Sequence, residues 1–285
     1  LKLQIPESLR WPYAHAAASR IPFFVDGEAA ENACRADALF RSDMIYELYY
    51  WPGIQGRGEF VRLALEQGGA EYRDIALLPE AQGGGVPALL KFLDGPAIAR
   101  PPFAPPFLKA GRRLIGQTAN ILLFLGARLG LAPRDAGARL WTHQLQLTLA
   151  DFVVEIHDTH HPIAGGLYYE EQKAEARRRS RDFLAHRLPK FLGYFEHVLE
   201  RNPDSDKWLA GKRLSYADLS LGQVLAGLRY AFPAAASKAL RPSPRLRALH
   251  AAVFALPRIR RYVASGRRLA FNNEDLFRRY PELDA

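Results

Sequence analysis

Two groups of residues have types and spacings that could do chemistry. The first is Pro105-Pro106-Phe107-Leu108-Lys109-Ala110-Gly111, followed six residues later by Gln117-Thr118. A proline that opens a strand gives up its ladder hydrogen bond and is placed for a cis peptide, which only X-Pro tolerates at low cost. Thr118 stands at the start of an apolar, helix-periodic run, where unpaired N–H groups, a hydroxyl and the positive end of the helix dipole suit a carboxylate. Together they predict a site for a peptide-like anion. The second group is His157-Asp158-Thr159-His160-His161. His157 and His161 lie four apart on one helical face, with His143 upstream, a spacing that raises a metal site. No acidic ligands stand at compatible spacing and Pro162 follows, so no metal is expected. Histidines near a helix C-terminus also complement its dipole.

The surrounding pattern supplies elements to hold these groups. Ile45 to Trp51 is an aromatic-rich strand, Pro52, Gly53 and Gly56 mark a loop, and Arg57 to Gln67 is a helix stopped by Gly68-Gly69. Glu71 to Leu77 is a second strand, completing a strand-helix-strand unit expected to be parallel and right-handed. After Gly83-Gly84-Gly85 comes a short helix from Pro87 to Leu93, then two strands joined by a turn at Gly111, the second through Arg113-Leu114-Ile115, and a helix from Thr118. Beyond Gly130 the pattern is helical throughout, with long helices from Asp135 to His161 and from Glu170 to Arg201, the latter expected to kink at Pro189. Ser215 to Tyr230 is a third, and shorter pieces run from Ser243 to Gly266. Residues 44–130 thus read as a small mixed-sheet domain, 131–135 as a linker holding Pro133, and 135–285 as an all-helical domain. Ile21-Pro22 to Gly27 and Val86-Pro87-Ala88-Leu89 resemble the first chemical stretch, but neither has the surrounding elements, and both are set aside.

Composition bounds the function. The chain has 285 residues, 48% hydrophobic, enough for a substantial core. No apolar run approaches the ~20 residues of a membrane span, and the N-terminus carries no secretory pattern, so neither a membrane nor export is expected. The only cysteine, Cys34, has no intrachain partner, which favours the cytoplasm. The net charge of +9 suits small anionic ligands. Its densest run, Arg177-Arg178-Arg179 with Arg181, shares a helix with Glu170, Glu171 and Glu175 and reads as a solvated face, with no nucleic-acid partner implied. Residues 1–43 hold five basic and six acidic residues, so the positive excess belongs to the remainder. Met44, the only methionine, precedes the first strand and is expected to be the natural start, with 1–43 an upstream extension of the reading frame; a real appended arm is the alternative.

Four motifs in this order carry a resemblance over roughly residues 44–268. They are Tyr50-Trp51-Pro52 with Gly56-Arg57; Pro105-Pro106 through Gly111; Gln117-Thr118 leading into Ala119-Asn120-Ile121-Leu122 and Leu125-Gly126; and Ser215-Tyr216-Ala217-Asp218-Leu219. So ordered, the chain resembles the cytosolic glutathione transferases of the tyrosine type, such as pi, mu and sigma, with a bacterial look. The resemblance implies a thioredoxin-like N-terminal domain, an all-helical C-terminal domain, a homodimer, glutathione as co-substrate and a detoxifying conjugation to a hydrophobic electrophile. The last motif has a physical reading of its own: Ser215 and Asp218 form a capping box, a folding device.

By the resemblance, Tyr50 would activate the glutathione thiol, with Tyr49 the weaker candidate because the Gly53 to Gly56 loop is one residue longer than the pi pattern. Alternation puts the two tyrosines on opposite faces, so only one can serve. A free thiol has a pKa of about 8.5, and a phenol O–H aimed at sulfur favours the anion. Pro105 would pair with the cysteinyl unit and Pro106 supply the cis bond, although Pro105 lacks the donor N–H usual at that place. Gln117 and Thr118 would hold the γ-glutamyl carboxylate, Asp151 the γ-glutamyl amine across a dimer, and Arg57 would be peripheral. Lys91, Arg100 and Lys109 are all open for the glycine carboxylate. His157, Tyr168, Tyr169, Tyr230 and Phe232 could line a second-substrate pocket. A glutathione-dependent isomerase or peroxide reductase, and a non-catalytic scaffold binding a protein partner, are the rival readings.

Overall fold

The computed structural model describes residues 44–284 apart from Asp94 and Ala97; the Pro22 look-alike, Cys34 and the expected extension lie outside the described residues. Four short strands form one sheet in the order β2-β1-β3-β4: β1 (Tyr46–Tyr49), β2 (Tyr72–Asp74), β3 (Phe107–Ala110) and β4 (Arg113–Gly116). β1 pairs with β2 in parallel, Tyr46 opposite Tyr72, and with β3 antiparallel, Leu48 opposite Leu108; β3 and β4 are antiparallel, Leu108 opposite Ile115. The period-2 alternation decides what each face meets. Leu48, Leu108 and Ala110 join Val61 and Leu65 of α1 (Gly58–Gly68) and Ile121 and Leu125 of α3 (Thr118–Leu129) in the main core. Tyr49 and Phe107 point the other way, their rings stacked at 4.6 Å, and are covered by α2 (Gly85–Leu93) through Leu89 and Phe92. Pro87 lies inside α2, so its look-alike motif is helix.

The second strand is shorter than its pattern suggests: after Asp74 the chain turns into a single 3-10 turn at Ile75–Leu77 that buries Ile75 and Ala76. The helical half contains α4 (Ala136–His157), α5 (Lys173–Asp182), α6 (Leu188–Arg201), α7 (Tyr216–Ala231), α8 (Pro233–Leu240), α9 (Pro244–Ala255) and α10 (Pro257–Ala264). Asp135 caps α4 by accepting from the Ala138 N–H at 2.8 Å. Between α5 and α6 the turns widen into a π-helical stretch at Phe183–Arg187. Pro189 follows directly on this widened turn in a helix that runs on from α5, so the helix departs from α geometry next to the proline that lacks an N–H. Arg177, Arg178 and Arg181 are exposed, in keeping with a solvated face. Helix α8 was not legible because Pro233-Ala234-Ala235-Ala236 lacks an apolar stripe and carries only a proline start.

The two halves share one continuous core, since α7 packs on α1 as well as on α4 and α9. A buried polar network reinforces that seam. Glu59 of α1, fully buried, accepts from Arg268 Nε at 2.9 Å and from the Tyr262 hydroxyl at 3.1 Å, and Arg62 meets Asp74 at 2.6 Å. Burial raises the Glu59 pKa against the opposing pull of Arg268 and Arg62. Arg268 also donates to Gln223 of α7 at 2.6 Å, and Gln223 to Gln55 in the loop after β1 at 2.7 Å.

Candidate functional site

The loop from Trp51 to Arg57 leaves β1 directly after Tyr50. The Tyr50 ring folds under that loop and is 5% exposed. Its oxygen accepts from the Arg57 N–H at 2.9 Å. Gly56 is what lets the loop lie this close: its φ is +43°, and a Cβ there would fall 2.0 Å from the Tyr50 oxygen. Burial raises the Tyr50 pKa although the Arg57 N–H pulls the other way, so the phenol keeps its proton. Tyr49 is different: its hydroxyl donates to Glu47 at 2.8 Å, and Lys109 meets the same carboxylate at 2.9 Å. Burial and the Glu47 carboxylate hold the Tyr49 pKa well above the ordinary tyrosine value. A hydroxyl has one donor hydrogen. That of Tyr49 is committed to Glu47, while Tyr50 is engaged as an acceptor.

The loop itself is held from a distance. Asp275, buried in the C-terminal segment, accepts from the Gln55 N–H at 3.1 Å and the Gly56 N–H at 2.7 Å, and Gln55 Nε2 reaches the Leu269 carbonyl at 2.5 Å. Asn272 donates to the Gly53 carbonyl at 2.9 Å. Sequence reasoning missed Asp275 because its partners lie some two hundred residues away and its own surroundings, Asn272-Asn273-Glu274, read as a polar tail.

The peptide bond between Pro105 and Pro106 is cis, as the sequence leads one to expect. Beyond β4, Gln117 has φ 68° and ψ 121°, the only non-glycine residue with positive φ among the described residues. Such a conformation costs on the order of 1–3 kcal/mol and gathers at ligand clamps. The next residue, Thr118, opens α3, and its Oγ1 is buried without a hydrogen-bond partner. A strained backbone beside an orphaned hydroxyl and the free N–H groups of a helix start fits a bound carboxylate.

Other expected residues divide. Arg57 is half-buried on the loop and Asp151 exposed on α4. Lys109 is spent on Glu47, which leaves Lys91 and Arg100, both exposed, for a second carboxylate. Tyr230 stacks on Phe271 at 5.0 Å in the same C-terminal segment that braces the loop. Tyr168 is 78% exposed. Phe232 is core, and Tyr169 stacks on Tyr280 while its hydroxyl donates to Glu282, so neither offers a pocket wall. Asp218 closes the capping box by accepting from the Ser215 N–H at 2.7 Å and also takes the Leu209 N–H at 2.7 Å.

Helix α4 stops at His157, four residues before its expected end, because Thr159 turns back to donate to the Ile156 carbonyl at 2.7 Å. That turn brings His160 into the pair formed by His157 and His161. The three ring centroids stand 4.7 to 4.9 Å apart, and His143 is not among them. Burial lowers the pKa of His160 to about 2 and of His157 to about 4, with neighbouring positive charge from Arg278, and from Arg57 for His157, acting in the same direction. The end of α4 therefore lies within electrostatic reach of the Tyr50 loop.

Comparisons with known proteins agree with this architecture. Residues 157–266 match the family model described as glutathione S-transferase, C-terminal domain. A glutathione S-transferase of Plasmodium falciparum is 24% identical over 224 residues, covering 76% of this chain and 94% of that protein. Among solved structures, the Pi-class glutathione S-transferase of Onchocerca volvulus superposes with a TM-score of 0.60 at 19% identity, over 77% of this chain and 92% of that one. A monomeric glutathione S-transferase of the hookworm Necator americanus gives 0.58 at 19% identity, over 79% and 99%. The fold is that of the glutathione S-transferases, a small mixed sheet domain followed by a helical one, and these relatives are eukaryotic. Among the described residues no helix is long and apolar enough to cross a membrane.

Proposed function

We propose that the chain is a cytoplasmic glutathione transferase of the tyrosine type, which activates the glutathione thiol with Tyr50 and adds it to a hydrophobic electrophile. One observation carries the reading. The Tyr50 oxygen takes a hydrogen bond from the Arg57 N–H, so its own hydrogen remains for a sulfur anion, whereas the hydrogen of Tyr49 is held by Glu47. A phenol kept neutral by burial is a donor, and a donor to the thiolate lowers the thiol pKa; two units correspond to about 2.7 kcal/mol. Thr118 Oγ1 and the N-terminus of α3 would receive the γ-glutamyl carboxylate, with Gln117 strained to present it. The cysteinyl backbone would pair with the Pro105 carbonyl. On this reading Asp151 serves the partner site of a homodimer, and the end of α4 with Tyr230 borders the electrophile.

A scaffold without catalysis is favoured by one observation, the absence of an N–H at Pro105 where a bound peptide would seek a donor. Retention on immobilised glutathione and conjugation of a chloronitrobenzene, measured on the wild type and on Tyr50→Phe, separate the two. The transferase reading expects retention by both proteins, with the ultraviolet thiolate band and most of the turnover lost in the variant. A wild type that neither binds glutathione nor conjugates overturns it.

A further inference from the structure

We propose that His157, His160 and His161 form a binding site for one divalent transition-metal ion of the zinc type. Each ring offers one nitrogen, and the three atoms lie within 4.8 Å of one another. His160 is the anchor. It is 1% exposed, and its Nε2 faces the Leu276 carbonyl at 3.0 Å. A carbonyl only accepts, so Nε2 carries the hydrogen and Nδ1 is left with its lone pair. A backbone carbonyl that fixes the tautomer of a histidine is the usual outer support of a metal ligand. That lone pair points at His161 Nδ1, 2.5 Å away. With the His160 nitrogen as acceptor, the contact is a hydrogen bond donated by His161 Nδ1, which already aims both nitrogens at one point. A metal takes its place: the His161 hydrogen moves to its Nε2, and the two nitrogens part to the ~3.3 Å that a tetrahedral ion with bonds of about 2.0–2.1 Å sets between its ligands. His157, stacked against His161 at 4.9 Å, supplies the third nitrogen.

Two further features fit. His157 and His161 are half-buried, so an ion has a way in while His160 holds the inner side. Asp158 Oδ1 lies 3.8 Å from His157 Nδ1 and offsets part of the positive charge of Arg57 and Arg278 that also reaches the cluster. Three imidazoles without a thiolate suit Zn2+, Co2+, Ni2+ or Cu2+ and leave a position open for water. The site is independent of the transferase reading, because its test is metal uptake.

The test titrates the tag-free full chain with Zn2+ in competition with a chromophoric chelator, and with Co2+ read by its visible absorption. Wild type should take up one Zn2+ with micromolar or tighter affinity, give the intense bands of four-coordinate Co2+, and gain thermal stability with Zn2+. His157→Gln and His161→Gln change half-buried rings and should fold; each should weaken Zn2+ binding by at least about tenfold. His160→Gln should do the same, but its burial makes the other two variants the deciding ones. His143→Gln should bind as wild type does. No stoichiometric uptake by wild type, or uptake undiminished in the combined His157→Gln and His161→Gln variant, overturns the proposal.

Discussion

A phenol can accept two hydrogen bonds and donate one, and the two adjacent tyrosines at the end of β1 divide that capacity in opposite ways. On the transferase reading, Tyr50→Phe removes the donor to sulfur, so the bound thiol should return toward its free pKa of about 8.5 and turnover at neutral pH should fall by roughly 10- to 100-fold, equivalent to about 1.4–2.7 kcal/mol. Tyr49→Phe breaks the bond to Glu47 instead, and should cost about 1 kcal/mol of stability while leaving the thiol pKa unchanged. Ultraviolet titration of the bound thiolate, with parallel denaturant unfolding, reads both; a thiol pKa that moves in Tyr49→Phe alone would reverse the assignment. Gly56→Ala offers a separate check on the same phenol. Its Cβ would overlap the Tyr50 oxygen, so the ring or the loop has to move, and activity should drop about as far as in Tyr50→Phe. The adjacency of the tyrosines was legible in the sequence. Which hydrogen was free was not, since that depends on Glu47 two residues back on the same strand face and on Arg57 across a turn.

At the level of elements, the start of α7 and the loop after β1 depend on single buried carboxylates. Asp218 accepts from the backbone of Leu209 and Ser215 and from the Ser215 hydroxyl. Asp218→Ala strands three donors and should cost about 3 kcal/mol or more, seen as a fall in the unfolding midpoint with kcat of the surviving fraction retained. Burial, outweighing these donors, raises the Asp218 pKa to about 6. The folded chain thus binds this proton more tightly than the unfolded one, whose carboxyl titrates near 3.9. The contribution to stability is greatest below about pH 4, falls as pH rises to about 6, and is flat above that. Asp218→Asn should abolish this slope; an identical pH dependence in the variant would show that the aspartate does not carry it. Asp275 has the analogous task for the loop, holding the N–H groups of Gln55 and Gly56. The capping box could be read in advance because both partners lie within four residues. The Asp275 clamp could not, because nothing local distinguishes an acid that will fold onto a distant loop from one left in water. The turn that gathers the histidines was hidden for a related reason: periodicity carried α4 through to Pro162, whereas Thr159 ends it by bonding back onto the helix.

For the whole molecule, the order of the four strands and of the long helices followed from hydrophobic periodicity and from glycine and proline stops, and so did the parallel pairing of β1 with β2 and the turn between β3 and β4, whereas α8 and the ends of β2 and α4 did not. The seam between the halves was not readable, because Glu59, Arg62, Gln223 and Arg268 look like ordinary surface residues until tertiary packing buries the first three and draws half-buried Arg268 onto them. The outer face of α4 raises the question of assembly. Leu140, Leu147 and Val154 recur at helical spacing beside Asp151 and are exposed, Leu140 by 73%, and Phe103 on the loop before β3 is 95% exposed. Apolar side chains in a row along a helix favour a partner surface. Under the transferase reading that partner is a second copy, and Asp151 within the row is the acid offered to its glutathione site. Leu147→Asp puts a charge in the stripe at a position that bears no load in the core. It should convert a dimer to a monomer in sedimentation velocity, leave the unfolding midpoint of the chain nearly unchanged, and raise the KM for glutathione with a smaller effect on kcat. Asp151→Asn should raise the same KM without dissociating the dimer. A wild type that sediments as a monomer, like the monomeric hookworm transferase, would leave Asp151 without a site to serve.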